Sequence, residues 1–67
     1  MTAAHSPVIA SAALALRHRV VTAIRQERRG EMSYPDLVRL VEAYREALRA
    51  YDPRLRPSVA SLIRALG

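Results

Sequence analysis

Arginines are the residues of this 67-residue chain with the most evident chemistry: there are eleven of them, no lysine, and a formal charge of +5. The positive excess falls in residues 17–29 and 54–64, because the arginines between them are balanced by Asp36, Glu42 and Glu46. A small surface with this charge attracts nucleic acid, an anionic membrane face or an acidic protein. The two basic segments border turns, so we expect them to converge in space.

Other residue types that perform chemistry do not form a catalytic pattern. Glu42 and Glu46 lie one helical turn apart, but arginines interleave them as on a solvated helix face. Neither His5 nor His18 has an orienting partner or a nucleophile nearby in sequence. We therefore expect that the protein is not an enzyme and uses no cofactor or small-molecule substrate.

Metal and disulfide cross-links are also unexpected. The chain has no cysteine, which excludes disulfides and thiolate metal sites, and His5 and His18 lack acidic neighbours at ligand spacing. A chain of this size is one domain and buries only about 60% of the surface that its unfolded state exposes. With three tyrosines, no phenylalanine and no tryptophan, such a small core favours stabilisation by a partner subunit.

The first long apolar stretch predicts a helix at about residues 7–29, after a loose terminus at residues 1–6. Ser6 can cap the helix, Pro7 suits its first position, and Gly30 can adopt the left-handed conformation that ends it. Apolar residues at three- and four-residue steps form one stripe along this helix. The stripe contains Ile9, Ala13, Leu16, Val20 and Ile24.

Two further helices follow, at about residues 34–51 and 57–66. Ser33 is positioned to cap the second helix, and Asp52-Pro53 forces a turn at its end. Pro57 suits the first turn of the third helix. Because the connection between the long helices is short, they run antiparallel. The sequence therefore predicts an all-α domain of two long antiparallel helices and a short third helix.

The C-terminal half resembles a helix-turn-helix, the DNA-binding unit of many regulators. The stretch Leu55–Leu66 (LRPSVASLIRAL) is similar to the generic recognition-helix pattern, although Asp52-Pro53 replaces the apolar residue and glycine usual in the turn. The resemblance implies that arginines contact phosphates and that short polar side chains contact base edges. The alternative is that the third helix only closes the helical hairpin and that its arginines are solvated. The expected DNA contacts are Arg54, Arg56, Ser58, Ser61 and Arg64, with Arg25, Arg28 and Arg29 as further phosphate contacts.

A competing interpretation is a protein–protein interaction module, such as an antiactivator or adaptor. The first helix has more apolar surface than one antiparallel neighbour can cover, and its alanines allow close backbone approach. The alternative is that the third helix covers the surplus within one chain. We expect association, as a homodimer or with a larger protein, through Ile9, Ala13, Leu16, Val20 and Ile24.

Membrane association is not expected from the sequence. The apolar run of residues 8–16 is shorter than the ~20 residues that span a bilayer. It also lacks the preceding basic residues of a secretory signal. The apolar and basic residues of the first helix are segregated end to end, unlike those of a helix lying on a membrane surface. The expected location is cytoplasmic.

Overall fold

The computed structural model describes residues 7–67, with side chains from Ala10 onward. It contains α1 (Pro7–Arg28), α2 (Tyr34–Tyr51) and α3 (Val59–Leu66). There is no strand in the described range, so the predicted all-α class, with two long helices and a short third one, is confirmed. The predicted loose terminus at residues 1–6, with His5 and the Ser6 cap, lies outside the described residues.

The turn between α1 and α2 is closed by Gly30, as predicted. Its φ of +76° lies in the left-handed region that side chains disfavour. The Gly30 N–H donates to the Glu27 carbonyl oxygen at 3.0 Å, and the Glu31 N–H donates to the Gln26 carbonyl oxygen at 2.8 Å. This pair of bonds is the Schellman motif, which satisfies the last carbonyl groups of a helix. The helix ends at Arg28, one residue earlier than predicted.

The second helix begins and ends where the sequence predicts. The Ser33 hydroxyl accepts a hydrogen bond from the Asp36 N–H at 3.3 Å, which satisfies one free donor of the first turn. At the other end the Asp52 N–H donates to the Leu48 carbonyl oxygen at 2.8 Å, after which Asp52 is extended. An extended residue before a proline is the sterically favoured arrangement, so the helix stops here.

The third helix begins at Val59, two residues later than predicted. Ser58 is its cap and accepts from the Ser61 N–H at 3.0 Å. Pro57 therefore precedes the cap instead of occupying the first turn. A serine cap satisfies a free backbone donor, whereas a proline only avoids carrying one. The position of the cap explains the difference.

All three helices contribute to one core. α3 packs against both long helices, and its Leu62 joins buried side chains from α1 and α2. The core cluster contains Val20, Ala23, Ile24, Leu37, Val41, Tyr44 and Leu62. None of the described helices combines the length and the apolar character required to cross a membrane.

Candidate nucleic-acid interface

The C-terminal end of α3 lies against the basic end of α1. Arg28 Nη1 donates to the Gly67 carbonyl oxygen at 3.3 Å. The approach is close: a Cβ atom on Gly67 would lie 2.6 Å from Arg28 Nη2 and 2.8 Å from the Ile63 carbonyl oxygen. Any larger residue at position 67 would force one of these groups to move. The glycine thus allows the end of α3 to pack beside the last turn of α1.

This packing places the C-terminal ends of α1 and α3, which carry arginines of the two predicted basic segments, beside each other. Arg25 and Arg28 lie in the last turn of α1, and Arg64 lies in the last turn of α3. Within residues 7–67, none of these three is in an ion pair. Arg29 follows α1 and pairs with Glu31 at 3.5 Å, with both side chains more than half exposed. An exposed pair of this kind contributes little stability and competes weakly for the arginine.

A second group of arginines lies at the other end of α3. The side chains of Arg45 and Arg49 on α2 and of Arg56 in the connector line a cleft of about 120 Å³ beside Pro57. We call this the arginine cleft. Arg45 Nε donates to the Pro57 carbonyl oxygen at 2.9 Å in a partly buried bond. Arg49 Nη1 lies 3.4 Å from Glu46 Oε2, in an exposed pair. This side of α3 is therefore also basic.

Arg54 and Arg56, the predicted phosphate contacts of the connector, differ in their partners. Asp52 Oδ1 accepts bonds from the Arg54 backbone N–H at 3.0 Å and from Arg54 Nε at 3.3 Å. The Asp52 carboxylate therefore offsets the Arg54 charge. Arg56 is exposed, and no ion pair involves it in the part of the chain that the structure describes. Arg56 is the better placed of the two to bind a phosphate.

The two predicted base-contacting serines are used within α3. The Ser58 hydroxyl accepts the capping bond from the Ser61 N–H, and the Ser61 hydroxyl donates to the Ser58 carbonyl oxygen at 3.1 Å. Both hydroxyls are therefore part of the helix start. Each retains some capacity for another partner, since a hydroxyl both donates and accepts.

The outer face of α3 carries small side chains and one arginine. Ala60, Arg64 and Ala65 are exposed, whereas Leu62 is buried and the other large apolar residues of the helix pack toward the core. The connector from α2 to α3 spans residues 52–58. This connection is longer than the three- or four-residue turn of a helix-turn-helix. The C-terminal half therefore departs from that motif in its turn, while the exposed face of α3 carries two alanines and Arg64.

Two residues of this surface, Arg45 and Arg49, are not among the contacts predicted from the sequence. The sequence places them with charged residues on the solvated face of the second helix, and this pattern does not separate them from Arg39. What distinguishes Arg45 is its bond to Pro57, twelve residues away. A bond between a helix and a connector of this kind has no local sequence signal.

The residues of the predicted partner interface differ in how far the fold buries them. Ala13, Val20 and Ile24 are buried by the chain's own atoms, so their side chains are not available to a second chain. Leu16 is half-buried against the core. Ile9 lies in α1, but its side chain is outside the described ones.

Among the described residues, an apolar cleft lies at the end of the helix pair farthest from the α1–α2 turn. Its volume is about 320 Å³, and Leu14 at its edge is 54% exposed. We call it the open groove. Its lining residues are Ala10, Ala13, Leu14, Arg17, Tyr44, Leu48 and Tyr51.

Two of the residues considered for catalysis from the sequence, His18 and Glu46, lie within the described range. His18 lines a shallow depression of about 360 Å³ between α1 and α2, together with Thr22, Gln26 and Met32. No group of three or more possible metal ligands occurs in the described range. Glu46 is engaged with Arg49.

Comparison with known proteins returned no relative: the chain matches no protein-family model, no curated protein and no solved structure.

Proposed function

We propose that this protein binds double-stranded DNA without catalysing a reaction on it, using α3 and the arginines that flank it. The observation that carries this proposal is that arginines lie at both ends of one short helix with an exposed outer face. Arg56 and its neighbours in the arginine cleft lie at the start of α3. Arg64 lies in the last turn of α3, and Arg28 contacts Gly67, the residue that follows this helix.

The dimensions of α3 suit this role. A helix of eight residues is about 12 Å long, and the major groove of B-DNA is about 12 Å wide. Arginines beyond both ends of such a helix would meet the phosphates on the two sides of the groove. Alanines on its outer face, at positions 60 and 65, would let the backbone approach closely.

The proposed contacts fall into two classes. Arg56 and Arg54 on one side of α3, with Arg25, Arg28 and Arg29 on the other, bind phosphates and position the protein. Arg64 is the only charged residue of α3, and an arginine in the major groove recognises guanine O6 and N7. Ser58 and Ser61 then act mainly by holding the start of the helix.

A duplex titration tests the proposal. Fluorescence anisotropy of a labelled duplex at two salt concentrations should give binding that weakens steeply with salt, because arginines displace condensed counterions. The double variant Arg54→Ala/Arg56→Ala should bind more weakly than wild type. Arg39→Ala removes an exposed arginine of α2 that pairs with Asp36 and is the matched control. Absence of wild-type binding at low salt would remove this function.

The Arg64→Ala variant separates base recognition from phosphate binding. If Arg64 contacts a base, its removal should cost about 1–3 kcal/mol on the preferred duplex and reduce discrimination between duplexes. Arg56→Ala should weaken binding to all duplexes alike. Selection of bound sequences from a random duplex pool, followed by titration of both variants, measures the difference. Equal losses on every duplex for both variants would contradict the role given to Arg64.

The open groove supports a second candidate function, association with another protein chain. Leu14 lines this apolar groove and is 54% exposed, so one surface offers both an exposed apolar side chain and a recess. A two-fold dimer needs such a self-complementary surface, so we propose a second copy of this chain as the occupant. Sedimentation equilibrium should show a dimer that Leu14→Asp converts to a monomer. A wild-type monomer at every concentration would exclude it.

A further inference from the structure

We infer that the arginine cleft is a phosphate-binding site, occupied by one backbone phosphate when DNA is bound. This inference deepens the proposed function, on which the identity of the phosphate rests. The geometry that supports the site stands separately. It adds Arg45 and Arg49 to the interface, and it makes α2 part of the binding surface.

The side chains that line the arginine cleft are basic, apart from Pro57. Arg45, Arg49 and Arg56 are its charged lining residues, and within residues 7–67 neither Arg45 nor Arg56 is in an ion pair. The fourth lining residue, Pro57, has no N–H, and its carbonyl oxygen already accepts the bond from Arg45. Guanidinium groups on more than one side of a small cleft favour an anion with several acceptor oxygens.

Arg45 is held in place before any ligand arrives. Its Nε–H is bonded to the Pro57 carbonyl oxygen at 2.9 Å, and the bond is partly buried. The four N–H donors of its terminal nitrogens make no hydrogen bond within the described chain. A guanidinium fixed at Nε loses less conformational freedom when its terminal donors bind a ligand. Arg45 thus supplies the ordered part of the site, and Arg56 supplies an exposed charge.

The size of the cleft selects among anions. Its volume is about 120 Å³, whereas pockets for drug-sized ligands have volumes of roughly 300–1,000 Å³. A single tetrahedral oxyanion with some of its water fits this space. The site therefore suits a phosphate group projecting from a chain, or inorganic phosphate.

Glu46 is the carboxylate that acts against the site. Its Oε2 atom lies 3.4 Å from Arg49 Nη1, and both side chains are about half or more exposed. The Glu46 charge competes with an incoming phosphate for Arg49. Removing it should strengthen phosphate binding, an effect opposite in sign to that of removing an arginine.

Titration with inorganic phosphate at constant ionic strength tests the site directly. The NMR signals of the arginine Nε–H groups should shift and saturate for Arg45 and Arg56. Arg56→Gln should weaken phosphate binding about tenfold, the effect of losing one charge-assisted hydrogen bond, and Arg39→Gln should leave it unchanged. Arg45→Gln should weaken it at least as much. Because that change also releases Pro57, Arg56→Gln is the decisive variant.

The Glu46→Gln variant gives the expected gain, with Glu42→Gln as its control. Both changes remove one negative charge from an exposed position of α2, but only Glu46 contacts an arginine of the cleft. Tighter phosphate binding in Glu46→Gln alone supports the site. Equal gains in both variants, or phosphate shifts that do not saturate, would overturn it.

Competition with the duplex distinguishes the two sources of the phosphate. Inorganic phosphate should displace a labelled duplex more strongly than chloride of equal ionic strength, and Arg56→Gln should abolish the difference. Saturable phosphate binding without such displacement would overturn the assignment to a backbone phosphate. If wild type binds no duplex, the proposed function fails, and the phosphate titration alone decides whether the cleft is an anion site.

Discussion

The two ends of the helix pair differ in what covers them. Near the α1–α2 turn, Leu62 of α3 packs over Val20, Ile24 and Val41, which are almost fully buried. We call this the closed half. At the other end the same two helices form the open groove, where Leu14 is 54% exposed. The apolar stripe of each long helix extends through both halves. The difference between the halves shows that contact with α3, added to the contact between the two long helices, completes the burial of the apolar stripe in the closed half.

The packing of α3 in the closed half also positions the candidate DNA-binding residues. α3 is at once the cover of the core and the element with arginines at both ends. Its inner face contributes Leu62 to the core, while Arg64 is exposed. Stability of the closed half and nucleic-acid binding should therefore change together whenever α3 is loosened. Substitution of Leu14, the exposed residue of the open groove, should change neither.

Truncation of Ile24 should produce the largest decrease in stability. This side chain is 2% exposed and packs in the closed half, and Ile→Ala changes in cores cost about 2–5 kcal/mol. Thermal or urea unfolding followed by circular dichroism measures the effect, and a domain this small can lose its cooperative transition altogether. Retention of the wild-type midpoint would contradict the position of the core.

Removal of the α3 cap should have an intermediate effect. Ser58→Ala deletes the acceptor for the Ser61 N–H and should cost about 1 kcal/mol. Ser33→Ala deletes the matching acceptor of α2 and should cost a similar amount. Only Ser58→Ala should also weaken duplex binding, since only α3 holds the proposed base contact. Equal duplex affinity of the two variants would show that binding does not depend on the start of α3.

Truncation of Leu14 should have the smallest effect on the single chain. In the open half this side chain is largely exposed, and surface changes are usually within about 0.5 kcal/mol. Unfolding of Leu14→Ala at low protein concentration measures this value, with Ile24→Ala as the comparison. A destabilisation as large as that of Ile24→Ala would show that the open half is as well packed as the closed half.

Much of the fold follows from local sequence features. Gly30 ends α1 and adopts the positive φ that the sequence predicts, and Ser33 caps α2. Asp52-Pro53 ends α2 at the predicted residue. α3 starts two residues later than predicted because Ser58 provides a cap, and the spacing of Ser58 to Ser61 is visible in the sequence. Helix caps and turns that depend on residues within four positions of each other can therefore be predicted from the sequence.

Which residues of the apolar stripe are buried within the chain cannot be predicted in the same way. The sequence pattern assigns Val20 and Ile24 to a partner interface, because the first helix has more apolar surface than one neighbour covers. In the structure, the side chains of Val20 and Ile24 are buried by the chain's own atoms. Where a short third helix lies along a groove depends on the path of its connector. The bond between Arg45 and Pro57 depends on the same path, so this part of the candidate site is visible only in the structure.

The salt dependence of duplex binding tests most directly the central claim that both ends of α3 contact phosphates. We would measure log K against log salt concentration for wild type, Arg56→Ala, Arg25→Ala and the control Arg39→Ala. Removing one phosphate-binding arginine should reduce the steepness of this plot by about 0.9, so Arg56→Ala and Arg25→Ala should both give shallower plots. Arg39→Ala should match wild type. Four identical slopes, or no salt-dependent binding, would contradict this claim.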